Sequence, residues 1–216
     1  WLFGQLAMHA SRQHFLVMVH VIAHGTNDFF RSRDDGQIGD GIQLGVSDAL
    51  ATTGALTLGA SGTLYLNGYN QTVSDLTGAA GSAIALGAGT LTAGTASSTT
   101  FAGVMSGTGA FVKEGAGTLT FSGLNTYTGG TTINAGTIKL DASSALAGAT
   151  GALTLSAAGT LDLNGATLTV QAFVTAAGTK NLTFNGGTLV CTASTSTAFN
   201  NAQPTGFTTT AGSGVG

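Results

Sequence analysis

The fold is decided by residues 101–140, which read FAGVMSGTGAFVKEGAGTLTFSGLNTYTGGTTINAGTIKL. Short β-prone segments in this stretch alternate with Gly, Asn, Ser and Thr every few residues. In the segment GTLTF, Leu119 and Phe121 fall on one face and Thr118 and Thr120 on the other, which is the period of a half-buried strand. The glycines recur too often for the interior of a helix. The stretch therefore predicts strands joined by tight turns.

The composition limits what the surface of the molecule can be. The chain has 216 residues, of which 35 are Gly and only 7% are charged, whereas about 25% charged residues is usual. Thr, Ser, Asn and Gly must therefore fill the outward positions. A net charge of −3 gives no basic patch that would neutralise phosphates, so no nucleic-acid partner is predicted. The one cysteine, Cys191, excludes an internal disulfide and a cysteine-based zinc site.

Residues 1–40 differ in composition from the rest of the chain. They contain all four histidines and an apolar run at Phe15–Ala23, which is far shorter than the ~20 residues of a membrane-spanning helix. Three interpretations of this leader stay open: an N-terminal cap of the following domain, a poorly ordered or non-native leader, and the remnant of a secretory signal. His20 and His24 are four residues apart, but no third ligand is in place, so packing is favoured over metal binding.

The remainder of the chain repeats itself. The stretch Ile42–Gly68 recurs as Ile138–Gly165, about 96 residues later, and both copies contain GALTL and a GTLxLNG segment. A large repeat built from strand–turn units is typical of a solenoid. We predict a β-solenoid over residues 41–193 made of two related large repeats, about 41–136 and 137–193 onward. A polar Gly/Thr-rich tail or partial coil follows over residues 194–216.

The predicted class is all-β, with each coil of roughly 20–25 residues stacked on the previous one so that every strand has parallel neighbours about 4.8 Å away. The turns need left-handed backbone, which Gly and Asn tolerate, so corners are expected at Asn67–Gly68 and Asn164–Gly165. The alternation predicts aliphatic columns inside the solenoid, formed by Leu56, Leu58, Leu64, Leu66, Leu153, Leu155, Leu161 and Leu163.

Residues 107–140 (GTGAFVKEGAGTLTFSGLNTYTGGTTINAGTIKL) resemble the autotransporter-associated β-strand repeat of type V secreted bacterial surface proteins. Lys113, Asn125, Tyr127 and the TGGTT run at 128–132 fall on the family pattern. The resemblance implies a right-handed parallel β-helix that is displayed on the bacterial cell surface after crossing the outer membrane. It also implies a structural module without catalytic residues. The export route rests on this resemblance, because the sequence shows neither a clear secretion signal nor terminal amphipathic barrel strands.

The sequence of the repetitive region contains no set of residues in a pattern typical of an active site or a metal site. The acids after residue 40 in the solenoid and tail are spread without paired spacing, which argues against glycosidase-like or calcium chemistry; they are Asp48, Asp75, Glu114, Asp141 and Asp162. No histidine falls there to complete a Ser-His-Asp arrangement, and no phosphate-binding motif is present. We therefore predict no catalytic, cofactor-binding or metal-ligating residues and no cofactor. Glu114 reads as a solvated corner, and the run TYTGGTT as a tight corner with Tyr127 packed over it.

These observations favour a structural or adhesive surface-exposed passenger stalk that is not an enzyme. Its expected partners are host or neighbouring-cell surface glycans or proteins, reached through exposed Thr, Asn and the tyrosines Tyr65, Tyr69 and Tyr127. Two alternatives stay open. One is a carbohydrate-active β-helix enzyme. The other is a self-assembling fibre subunit, because the unpaired ladder groups at the end of a solenoid can pair end to end.

Overall fold

The computed structural model describes residues 41–141, 146, 151–170, 172–175, 180–183, 185–191 and 207–210. The expectations for residues 1–40, and for the tail apart from residues 207–210, lie outside the described residues. Every regular element in these ranges is a strand; in chain order they are β1 Gly41–Gln43, β2 Leu56–Leu58, β3 Thr63–Tyr65, β4 Gln71–Val73, β5 Leu76–Gly78, β6 Ala83–Ala85, β7 Thr90–Ala93, β8 Thr99–Phe101, β9 Val104–Ser106, β10 Ala110–Lys113, β11 Thr118–Phe121, β12 Thr131–Leu140, β13 Ala152–Asp162, β14 Thr167–Val170, β15 Ala172–Thr175, β16 Lys180–Thr183, β17 Thr188–Cys191 and β18 Phe207–Thr210.

The strands form three walls that the chain visits in turn as it winds. The first wall contains β1, β3, β6 and β9 in that order. The second wall contains β4, β7, β10, the first halves of β12 and β13, and β15. The third wall runs from β2 through β5, β8, β11 and the second halves of β12 and β13 to β16 and β18. The pair β14–β17 takes the place of the first wall in the later coils, by its position between third-wall and second-wall strands.

All described strand pairs are parallel, and the register gives the length of a coil. Leu56 pairs with Leu76 on the third wall, and Ile42 pairs with Leu64 on the first wall. Successive coils are about 19 to 23 residues apart over most of the solenoid, close to the expected range, and 27 residues apart between β16 and β18. Strands inside the stack find ladder partners in the coils on either side. The prediction of an all-β parallel solenoid is confirmed.

The interior follows the period-two pattern of the sequence. The eight predicted inward leucines are each at most 3% exposed, and together with Leu119, Phe121, Ile138 and Leu140 they form one continuous core. The two predicted Asn–Gly corners are also confirmed. Asn67 and Asn164 have φ of 52° and 46°, and the glycines that follow them have φ of 86° and 84°. Left-handed backbone of this kind is cheap for glycine and tolerated by asparagine.

The two large sequence copies do not lie on the same walls. Leu64 of the first copy is on the first wall, paired with Ile42 and Ile84, whereas its counterpart Leu161 is on the third wall, paired with Ile138 and Leu182. The offset between the two sequence copies is therefore a whole number of coils plus about two-thirds of a coil. Such a shift is possible because all three walls require the same pattern of a strand, with apolar side chains inward, polar side chains outward and a corner at each end.

Several corners bring the backbones of neighbouring coils too close for any side chain. A Cβ added to Gly117 would stand 1.9 Å from the carbonyl oxygen of Ser97, and one added to Gly109 would stand 1.9 Å from that of Gly89. Real Cβ atoms do not approach oxygens this closely. The glycines of residues 101–140 are thus needed because they let neighbouring coils approach closely, and not only because their backbone rotates freely.

Candidate interaction surface

Aromatic side chains join the core within residues 101–140. Phe121 meets Phe101 and Phe111 edge-on, with ring centroids 6.2 and 5.4 Å apart, and all three rings are fully buried. Edge-to-face contact is a favoured arrangement for aromatic pairs. These rings fill the coils whose corners are closed by Gly109 and Gly117.

Lys113 is buried in this core, with only 1% of its surface exposed. Its Nζ donates to the carbonyl oxygen of Gly115 at 2.8 Å and also to that of Glu114. Removal from water lowers the pKa of this ammonium, while the nearby carboxylates of Glu114 and Asp75 act in the opposite direction. Lys113 therefore holds the two carbonyl groups of the corner that follows β10. The alternation in AFVK, with Phe111 inward, was the signal that places Lys113 inward as well.

Tyr127 corrects a prediction from the sequence. It was expected among the exposed tyrosines of a binding surface, but it is fully buried, and its hydroxyl lies 2.6 Å from Oγ1 of buried Thr131. Burial raises the pKa of the Tyr127 phenol well above its ordinary value, and the hydrogen bond to Thr131 opposes this effect only in part. A hydroxyl that has found a buried partner lets the large ring join the core instead of covering the corner from outside.

Two buried amides replace backbone ladder bonds where a strand is interrupted. Gln71 accepts from the main-chain N–H of Leu50 at 2.9 Å and donates to the carbonyl of the same residue at 3.1 Å. Asn125 accepts from the N–H of Met105 at 2.8 Å. Buried main-chain groups must be paired, and these side chains pair them between neighbouring coils.

The carboxylates of four acids are engaged in hydrogen bonds, and each of them accepts from a neighbouring coil. Asp48 accepts from the N–H of Thr72 at 2.7 Å, Asp75 from the hydroxyl of Thr95 at 2.6 Å, and Glu114 from the amide of Asn134 at 2.6 Å. Asp162 accepts from Asn185 at 2.9 Å and from the N–H of Asn164 at 3.0 Å. The expectation that Glu114 is a solvated corner is refined by its bond to Asn134, which ties two coils together.

The outward faces of two walls carry columns of threonine. On the third wall, Thr57 pairs with Thr77 and Thr100 with Thr120, and the column continues through Lys139 and Asp162. On the second wall the outward column is formed by Thr72, Thr92, Val112, Thr132 and Thr154. Apart from Lys139 and Asp162, these columns are uncharged.

Larger apolar groups are exposed on the first wall and its corner. Leu124 is 60% exposed, Val104 is 38% exposed and Tyr69 is 40% exposed, while Tyr65 is half-buried on β3. Tyr65 and Tyr69 therefore stay available as surface groups, in contrast to Tyr127. We name Tyr65, Tyr69, Val104 and Leu124 the first-wall patch; Val46, 47% exposed, is a further exposed apolar side chain among the described residues.

Among the described residues, no group of three or more His, Cys, Asp or Glu side chains comes together in a way that could hold a metal ion. In the described ranges, no helix has the length and apolar character that crossing a bilayer requires. Cys191 ends β17, where it pairs with Val170.

Comparison with known proteins points to one family. The model of the passenger-associated-transport-repeat matches residues 111–140, which contain Lys113, Asn125 and Tyr127. No curated protein and no solved structure matches the chain. The match agrees with the resemblance to autotransporter passenger repeats and with the solenoid geometry, and the chain is thus identified as one that carries a passenger-associated-transport-repeat within a parallel β-solenoid.

Proposed function

We propose that the chain is a stalk module of a bacterial autotransporter-like passenger, displayed outside the cell, which makes adhesive contacts and has no catalysis of its own. The observation that carries this proposal is the uninterrupted parallel ladder together with an almost uncharged exterior. The third wall alone stacks eight strands, which corresponds to a rod of roughly 34 Å at the usual spacing between strands.

The carboxylates support a structural role over a catalytic one. A hydrolase or lyase needs ionisable groups that converge on a substrate, whereas Asp48, Asp75 and Glu114 each accept a hydrogen bond that joins two coils. The three carboxylates belong to three different coils, and each is bonded to a group of the next coil. These carboxylates therefore hold neighbouring coils together through hydrogen bonds.

The exterior favours neutral partners. Threonine hydroxyls, asparagine amides and the first-wall patch offer hydrogen bonds and apolar contact, but little long-range electrostatic attraction. Neutral glycans or uncharged protein surfaces fit such a face. Adhesion through it is expected to depend only weakly on salt concentration.

Small-angle scattering and a bead-adhesion assay test the two parts of the proposal separately. The purified chain should scatter as an elongated particle, and beads coated with it should attach to cell or glycan surfaces equally well at low and high salt. The double variant Tyr69→Ser/Leu124→Ser should reduce attachment, while Thr57→Ser should not. A globular particle would overturn the stalk, and attachment no greater than that of albumin-coated beads would overturn the adhesive role. Release of sugar fragments from surface polysaccharides would overturn the absence of catalysis.

A further inference from the structure

We propose that Asn164–Gly165 is a site of spontaneous chemical modification, at which the asparagine amide is converted to a carboxylate in the folded protein. Three Asn–Gly corners with left-handed backbone occur in the described residues, at Asn67, Asn164 and Asn185. A glycine after asparagine leaves its main-chain nitrogen unshielded by a side chain. The three corners differ in how firmly the reacting groups are held.

The reaction needs only water as co-reactant. The main-chain nitrogen of the glycine attacks Cγ of the asparagine side chain and loses its proton to hydroxide. The bond from Cγ to the side-chain nitrogen breaks, and this nitrogen takes a proton from water and leaves as ammonia, which restores the hydroxide. Water then opens the five-membered imide and gives either aspartate or its isomer with the main chain running through the former side chain. Any hydrogen bond that holds the attacking nitrogen or the departing amide slows the first step.

Both reacting groups are held at the first corner. The amide of Asn67 donates to the carbonyl oxygen of Leu44 at 2.9 Å, and the N–H of Gly68 donates to the carbonyl oxygen of Leu86 at 3.3 Å. These bonds run to the coils on either side. The carboxamide and the nucleophile must therefore both be freed before they can react.

The departing amide is not held at the corner of Asn164. Within the described part of the chain, the Asn164 carboxamide has no hydrogen-bond partner, whereas the main-chain N–H of Asn164 is held by Asp162. A Cβ added to Gly165 would meet nothing within 4 Å, so the corner has room to turn. The amide of Asn185 lies between these cases, since it donates to Asp162 at 2.9 Å.

Conversion of Asn164 would change the charge of this corner. The new carboxylate stands two residues from Asp162, whose Oδ1 receives both the N–H of Asn164 and the amide of Asn185 from the next coil. Two like charges in one turn repel. The bonds that tie the coils of β13 and β16 at this corner are expected to weaken as a result.

The test follows the conversion of the three asparagines by peptide mapping with mass spectrometry, during incubation of the whole chain in mildly alkaline buffer. In the folded protein, Asn164 should convert fastest and Asn67 slowest, with a difference of at least tenfold. In strong denaturant the three rates should converge, because the hydrogen bonds are gone. Equal rates in the folded protein, or Asn67 as fast as Asn164, would overturn the proposal. The same ranking in denaturant would overturn it too, because sequence alone would then set the order.

Two variants check the consequence for the fold. Asn164→Asp, which imitates the product, should lower the melting temperature at neutral pH, and the difference from the parent chain should shrink as the pH falls toward the Asp pKa of about 3.9. Asn164→Ser cannot convert and should melt independently of prior incubation. A melting temperature of Asn164→Asp equal to that of the parent at neutral pH would contradict the charge effect.

Discussion

The coils of the transport repeat and the first two coils are the same fold built in different ways. The first coils, from Gly41 to Leu86, are filled by leucines such as Leu44 and Leu66, with Gln71 as one buried polar group. The repeat coils, from Phe101 to Leu140, are filled by phenylalanines and also bury Lys113, Asn125, Tyr127 and Thr131. Their corners differ as well: a Cβ at Gly59 meets nothing within 4 Å, while one at Gly117 would strike the backbone of the coil below.

The two regions therefore place different requirements on their sequences. The first coils need apolar volume on alternate positions, which many sequences can supply. The repeat coils need particular residues, because the ammonium of Lys113 must reach the carbonyl of Gly115 and the hydroxyl of Tyr127 must reach Thr131. A region with such requirements leaves a recognisable motif, and this explains why the family match is confined to residues 111–140.

The largest expected effect is the loss of the central ring of the repeat. Phe121→Ala removes both edge-to-face contacts and leaves a cavity, so it should lower the free energy of unfolding by about 3–5 kcal/mol. Phe121→Leu keeps most of the volume and should lose only about 1 kcal/mol from the aromatic pairs. Chemical denaturation measures both values. Equal losses for the two variants would show that the rings act only as bulk, as the leucines of the first coils do.

The second effect concerns the closed corners. Gly117→Ala places a Cβ against the Ser97 carbonyl, so the coils must separate, and a loss of about 2–4 kcal/mol in the free energy of unfolding is expected. Gly59→Ala is the matched control in the open corner of the first coils and should change stability by no more than about 0.5 kcal/mol. If both substitutions are neutral, the close approach of coils at Gly117 is wrong.

A third and smaller effect comes from the buried polar groups. Lys113→Met retains the apolar stem but leaves the carbonyls of Glu114 and Gly115 without their donor, at a cost of about 1–3 kcal/mol. Gln71→Met should cost a similar amount in the first coils, because the N–H and carbonyl of Leu50 lose their partner. Thermal melting compares the two variants. A Lys113→Met protein more stable than its parent would mean that desolvation of the ammonium outweighs its hydrogen bonds.

The smallest effect is the dependence of stability on alkaline pH. The pKa of Tyr127 is raised in the folded state above the ordinary value of 10.0, so above that value the unfolded chain gives up the proton first. The folded state then binds more protons, and its stability falls as the pH rises. Melting temperatures measured from pH 8 to 11 should decline for the parent chain and decline less for Tyr127→Phe. Parallel curves would show that Tyr127 ionises as readily in the fold as in the unfolded chain.

Much of this fold follows from the sequence, because alternation and Asn–Gly pairs are local signals. Leu64 and Leu66 could be placed inside, and Asn67 at a corner, without knowledge of any distant residue. The wall on which a strand lies is a different matter. The segment GTLxLNG reads the same at Leu64 and at Leu161, yet the two lie on the first and third walls, since the number of residues in intervening corners sets the wall.

The burial of Tyr127 was missed for a similar reason. No strand covers this residue, so no alternation indicated which way its side chain points, and its partner Thr131 became visible only in three dimensions. Lys113 could have been placed inside, because it follows Phe111 by two residues in one strand. The position of Lys113 in β10 indicates a buried side chain, whereas the charge of lysine favours an exposed one.

Cysteine cross-linking tests the stacking of parallel coils most directly. In a Cys191→Ser background, Thr100→Cys/Thr120→Cys joins register partners of adjacent coils, whose Cα atoms are about 4.8 Å apart, a separation that a disulfide spans. Thr100→Cys/Thr118→Cys is displaced by two residues along the strand, to a distance of about 8 Å, which a disulfide does not bridge. The solenoid predicts ready oxidation of the first pair and free thiols in the second. A first pair that stays reduced, or a second pair that cross-links as fast, would contradict it.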